Sequence, residues 1–172
     1  MNFFKTFSAL VLIICFFTSC EKNEKTNSLK IDLDVVIKNN DSIQIYYTQN
    51  TSVSFIEEQS FWKKVSGNKK NQTVSIVFPD SILPKQIRMD FGRNMKQDEI
   101  ILNEITFSYK KNRFSAKGED IYHLFRVDES NTKIDKLIGS LKRKTPNQKT
   151  GPSLYPKGNK LNKKLNQLYS SK

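Results

Sequence analysis

The chain has 172 residues, with 29 Lys and Arg against 17 Asp and Glu, a formal charge of +12, one His and two Cys. Such a length gives one ordinary domain with a core of its own and excludes an array of domains. Both cysteines fall within the first 20 residues, which excludes a disulfide scaffold or a Cys-ligated metal in the remainder.

At the N-terminus Lys5 precedes an apolar run over residues 7–17, followed by Thr18, Ser19 and Cys20. A positive n-region, an apolar stretch and small residues before a cleavage point are the order of a secretory signal peptide. The alternative is a plain transmembrane anchor, but about 20 apolar residues are needed to cross a bilayer, and this run stops short at the charged Glu21 and Lys22. The segment Phe17-Thr18-Ser19-Cys20 resembles the lipobox of bacterial lipoproteins, with Phe17 in place of the usual aliphatic residue. The resemblance implies a signal peptide over 1–19, diacylation of the Cys20 sulfur and a further acyl chain on the new N-terminus. Each buried methylene contributes about 0.8 kcal/mol, so two or three chains hold a protein on a membrane where one does not. Cys15 leaves with the signal peptide, and Cys20 is an anchor, not a redox residue.

Export changes what the basicity means. Residues 20–132 carry 17 Lys and Arg against 16 Asp and Glu, whereas 133–172 carry 11 against 1. A basic tail inside a cell favours nucleic acid, because neutralising phosphates releases counterions. Outside the cytoplasm no nucleic acid is expected, and the available polyanions are lipid headgroups, phosphorylated lipopolysaccharide and acidic surface glycans. The alternative is that the lysines are merely solvated, which the abundance of Lys, Asn and Ile along the chain favours.

After a polar tether over 20–28, period-two patterning begins. Leu29, Ile31, Leu33, Val35 and Ile37 alternate with mostly charged residues, as in a strand with one buried face. The cluster Asn39-Asn40-Asp41-Ser42 is turn chemistry, and Ile43, Ile45 and Tyr47 continue the alternation, which predicts a hairpin. Residues 53–65 are less regular and hold Phe55, Phe61 and Trp62, suiting a bent strand or a covering loop. Residues 66–71 read as a polar turn. Val74, Ile76 and Phe78 predict another strand, closed by Pro79; Ile87, Met89 and Phe91 predict the next, ended by Gly92. Ile100 and Leu102 share one parity and Ile105, Phe107 and Tyr109 the other, a phase change that predicts a β-bulge or a switch of sheet at Asn103-Glu104. Only 119–125 suggests a short helix before the tail, where a basic helix is predicted over 159–169. Six or more short strands with close turn signals predict an all-β, antiparallel, jelly-roll-like sandwich over 29–132. Residues 133–172 are expected to be a partly irregular electrostatic arm outside its core, although Ile134, Leu137, Ile138 and Leu141 have the spacing of a helix able to cover the sandwich.

Signatures of catalysis are sparse. His123 has neither a nucleophile nor an orienting partner marked beside it, so a structural role is the expectation. Asp32 and Asp34 share a strand face, but calcium needs six to eight oxygens and no Asp-rich loop supplies them. Glu57-Glu58 and Asp98-Glu99 are adjacent pairs, which point to opposite faces of a strand and leave the glycosidase arrangement without support. No enzyme activity, metal or cofactor is expected. Arg88 and Asp90 sit at i and i+2 on one polar face, either a grip for sugar hydroxyls or a surface ion pair. Trp62 is either a platform for a sugar ring or part of the core.

A tyrosine-bearing hairpin, a Phe/Trp segment, the strand through Val74 to Pro79, then Arg88-x-Asp90-x-Gly92-x-Asn94 and an Ile-rich strand resemble a periplasmic jelly-roll module of Bacteroidetes envelope proteins, often attached to sugar-transferase-like membrane proteins. The resemblance covers residues 29–110 and extends to 122–125 and 151–155. It implies a carbohydrate-binding-like sandwich with a glycan-related accessory role, and Trp62, Arg88, Asp90 and Asn94 as candidate ligand-binding residues. The expectation is therefore a non-catalytic protein held in the outer membrane through Cys20. Its partner is a surface glycan or, alternatively, an envelope protein without glycan binding.

Overall fold

The computed structural model describes residues 27–170, so the expected signal peptide, Cys20 and the expected tether up to residue 26 lie outside the described residues. Eleven strands pair antiparallel into two sheets, the sandwich that the alternation predicts. The first sheet contains β1 (Lys30–Ile37), β4 (Asn68–Val77), β6 (Glu99–Tyr109), β7 (Asn112–Lys117), β9 (Thr132–Asp135) and β10 (Ser140–Arg143). Its order is β4-β1-β6-β10-β9, and β7 pairs with the second half of β6, from Glu104 to Tyr109. The second sheet contains β2 (Asp41–Thr48), β3 (Ser60–Val65), β5 (Gln86–Phe91), β8 (Phe125–Val127) and β11 (Ser153–Pro156), in the order β3-β2-β5-β11-β8.

The core is the facing parity of the two sheets. Every second residue of β1, from Ile31 to Ile37, is buried together with Leu29, and Ile43, Ile45, Ile87, Met89 and Phe91 close on them from β2 and β5. Phe78, just beyond β4, takes the edges of Tyr47 and Phe61 at ring distances of 5.7 and 5.2 Å. The phase change in β6 is a β-bulge. Asp34 pairs with Glu104 but Val35 pairs with Leu102, leaving Asn103 as the extra residue, so both halves of β6 bury their apolar side chains on one face.

The boundary expected at residue 132 does not exist. β9 and β10 extend the first sheet, β11 lies between β5 and β8 in the second, and Leu141 and Leu154 are fully buried. The helical spacing of Ile134, Leu137, Ile138 and Leu141 is instead a hairpin, whose turn leaves Leu137 85% and Ile138 53% exposed. Strands of four residues carry too few alternations to be seen among so many lysines. The terminal helix forms as predicted: α2 (Lys160–Ser170) buries Leu161, Leu165 and Leu168 and turns Lys160, Lys163 and Lys164 outward. It ties the sheets together. Tyr169 meets Tyr109 of β6 edge-on at 5.3 Å and donates to the Pro84 carbonyl at 2.9 Å, ahead of β5. The remaining helix, α1 (Ile121–Leu124), is one turn between β7 and β8. Among the described residues no helix is long and apolar enough to cross a membrane.

Candidate functional site

Because β2 and β5 bury one parity, the other parity lines the outer face of the second sheet. The pairing aligns Trp62, Gln44, Asp90 and Ser153 in one row across four strands, and Ser60, Tyr46 and Arg88 in the next. Tyr155 and Arg126 pair beside them on β11 and β8. Three of the four residues singled out in the sequence, Trp62, Arg88 and Asp90, thus share one surface.

Arg88 is the hub of that surface. Its Nε donates to Asp90 Oδ1 at 2.8 Å and its Nη2 to Oδ2 at 2.5 Å, a two-pronged pair whose side chains are each about one-fifth exposed. Its guanidinium carbon lies 4.7 Å from the Tyr46 ring centre and 4.4 Å from that of Tyr155. Burial works against the Arg88 charge, but the hydrogen bond and the charge of Asp90 outweigh it and lift the guanidinium above its ordinary pKa.

The irregular chain between β2 and β3 crosses this face. It sets Phe55 edge-on to both Tyr46 and Tyr155, at 6.5 and 6.1 Å. The short 3-10 turn Glu57–Gln59 follows. Glu57 accepts from Tyr46 Oη at 2.6 Å and from Gln44 Nε2 at 2.7 Å, bonds that hold its carboxyl below the usual range. Burial first, and then Glu57, push the Tyr46 hydroxyl up to about 12, while burial raises Tyr155. Both tyrosines are therefore neutral hydrogen-bonding groups at neutral pH, beside a fully charged Arg88.

Two further arginines flank the hub. Arg93 stacks over Trp62 at 4.2 Å, leaving that indole 38% exposed, and Arg126 lies over Tyr155 at 4.9 Å. Arg126 also lines an open cleft of about 720 Å³, with Asp128, Lys136 and Lys157 among its other walls. No family model, curated protein or solved structure matches the chain.

Asn94 lies elsewhere. Asp41 Oδ1 accepts from the backbone N–H groups of Ser42, Arg93 and Asn94, and the Asn94 side chain donates to the Asn40 carbonyl at 2.8 Å. Gly92 has φ +79°, and a Cβ there would sit 2.5 Å from Asp41 Oδ2. The sequence Arg88-x-Asp90-x-Gly92-x-Asn94 is thus two devices: a charged pair on the sheet and a turn clamped around Asp41. Tyr46, Arg126 and Tyr155 complete the surface without having been candidate ligand-binding residues in the sequence, and so do Phe55, expected in a bent strand or covering loop, and Glu57, read only as half of an adjacent acidic pair. The parity of β2 already put Tyr46 on the polar side; nothing local marks Phe55 or Tyr155.

The other candidates for chemistry are dispersed. His123 is exposed, with Nε2 3.8 Å from Asp120 Oδ1. Asp32 accepts from Ser75 Oγ at 2.6 Å and pairs with Lys30 at 3.0 Å. Glu99 accepts from Ser140 Oγ at 2.6 Å and pairs with Lys142 at 3.1 Å. Among the described residues no three His, Cys, Asp or Glu side chains gather as a metal would require.

Proposed function

We propose that this chain is a non-catalytic module of the bacterial envelope, lipid-anchored through Cys20, that binds glycan on the outer face of its second sheet. The observation that carries the reading is the concentration on one sheet face of Tyr46, Arg88, Asp90, Tyr155 and Trp62, rigidly held and rich in donors, acceptors and rings. Sugar recognition uses this combination: hydroxyls pair with arginine donors and carboxylate acceptors while aromatic side chains supply apolar area. A sheet also holds such groups with little loss of side-chain freedom on binding.

The test is a glycan array probed with the multimerised protein. Binding that falls at least about tenfold in Trp62→Ala or Tyr155→Ala is the expected result, since hot-spot aromatics cost more than about 1 kcal/mol on truncation. One observation favours a protein partner instead: Val53 and Ile56, on the segment that crosses the same face, are each about half exposed. Absence of any glycan binding, with co-purification of one envelope protein that is lost in Ile56→Asp, would replace the glycan reading with that one.

A further inference from the structure

The charges on the outer face are unequal in how they are used. Three carboxylates of the face are already engaged: Asp90 by Arg88, Glu57 by Tyr46 and Gln44, and Asp128, near the β8 edge, by the N–H and hydroxyl of Ser130 at 3.0 and 2.6 Å. Of the three arginines only Arg88 spends donors on a carboxylate. Arg93 and Arg126 make no side-chain hydrogen bond and no ion pair within the described residues; they stack over Trp62 and Tyr155, and their charges reach Glu57 and Asp128 only through space, without direct contact. A guanidinium that is held over a ring and makes no hydrogen bond keeps N–H donors open as a fork for a carboxylate or sulfate.

We infer that the glycan taken by this face is acidic, an oligosaccharide bearing uronate or sulfate groups, and that Arg93 and Arg126 are the residues that select it. The inference rests on the glycan reading and narrows it. The rings also favour an acidic ligand over a neutral one. Tyr155 has Arg88, Arg126 and Phe55 against it and Trp62 carries Arg93, so a sugar that packs on the exposed part of either ring meets a guanidinium beside it. Trp62 on β3 and Tyr155 on β11 are three strand steps apart, roughly 14 Å, so one ligand engaging both forks is longer than a monosaccharide. The formal charge of +12 draws such a polyanion toward the protein at long range, but the forks give it a defined seat.

Separating that seat from general basicity is the purpose of the test. The full-length chain in detergent is titrated with polygalacturonate oligomers, with sulfated dextran and with neutral dextran at physiological salt. The substitutions Arg93→Lys and Arg126→Lys keep the charge and remove the fork; Lys163→Gln with Lys164→Gln removes two charges from α2, away from the face. The expected result is binding to one of the acidic glycans, weakened about tenfold or more by the double Arg→Lys variant and changed less than about twofold by the α2 variant. Equal sensitivity to both variants would show only nonspecific attraction to a basic protein and overturn the proposal. Binding to a neutral glycan alone would also overturn it while leaving the glycan reading intact. Absence of all glycan binding on the array would remove both. Since Arg93 and Arg126 are exposed, unchanged thermal unfolding of the Arg→Lys variants shows that lost binding is not lost folding.

Discussion

Gly151 is the glycine at which an added Cβ would meet the nearest atom. It enters β11 beside β5, where the Phe91 N–H donates to the Pro152 carbonyl at 2.8 Å, and a Cβ on it would lie 1.4 Å from the Phe91 carbonyl oxygen. That collision is with the backbone of Phe91 and Gly92 and not with a movable side chain, so relief means separating β11 from β5. Gly118 offers the contrast. It has φ +54° and nothing within 4 Å of an added Cβ, leaving only the left-handed strain of about 1 kcal/mol. Gly151→Ala is expected to cost several kcal/mol or prevent soluble expression, and Gly118→Ala about 1 kcal/mol, both measured by urea unfolding. Similar losses in the two variants would contradict the close approach at Gly151. The reach of sequence reading is also set at this scale. Arg88 and Asp90 are two residues apart, so their meeting on one face was legible; Tyr155 reaches Arg88 across 67 positions of chain, through a strand pairing with no local signal.

At the scale of elements, legibility followed length. The eight residues of β1 supply enough alternations to identify a strand, and the Leu161, Leu165, Leu168 spacing identified α2. The bulge was visible because both halves of β6 are long enough to show opposite parity. By contrast β8 to β11 have three or four residues each, and their membership of the sheets is fixed by partners far away in sequence. Composition misled there, because Lys133, Lys136, Lys142 and Lys144 point outward from a segment whose Leu141 is part of the core. The helix provides a measurement. Burial of a leucine contributes about 1.5–3 kcal/mol, so Leu161, Leu165 and Leu168 together approach the total stability of an ordinary domain, about 5–15 kcal/mol. Ending the chain after Gly158 should therefore leave it largely unfolded by near-ultraviolet circular dichroism, whereas Lys163→Gln with Lys164→Gln should change stability by less than about 0.5 kcal/mol. A cooperative unfolding transition near the full-length value after truncation would show that α2 is an appendage.

For the molecule as a whole, acid is the condition that couples the charge to the fold. Glu99 sits where β6, β10 and the end of β1 meet; the Ser140 hydroxyl first, and then Lys142, hold its carboxyl below its ordinary value of 4.5, with Lys38 a further 3.9 Å away. Glu57 is lowered too, by Tyr46 and Gln44. A carboxylate whose pKa is depressed on folding stabilises the folded state fully above its unfolded value, and that contribution is lost as pH falls through the folded value. Protonation also removes negative charge from a chain already at +12, so self-repulsion grows in the same direction. Stability should hold between pH 7 and about 5 and fall steeply below about 4.5. The variant Glu99→Gln isolates the site: it should be about 1 kcal/mol less stable at pH 7, having lost charge-assisted bonds to Ser140 and Lys142. Its deficit should shrink as the pH falls below about 4.5 and the wild-type carboxylate takes up its proton. A deficit that stays constant as the pH falls from 7 until the carboxylate is fully protonated would mean that the ionised group contributes nothing, and that Glu99 acts at this three-strand junction only by its shape.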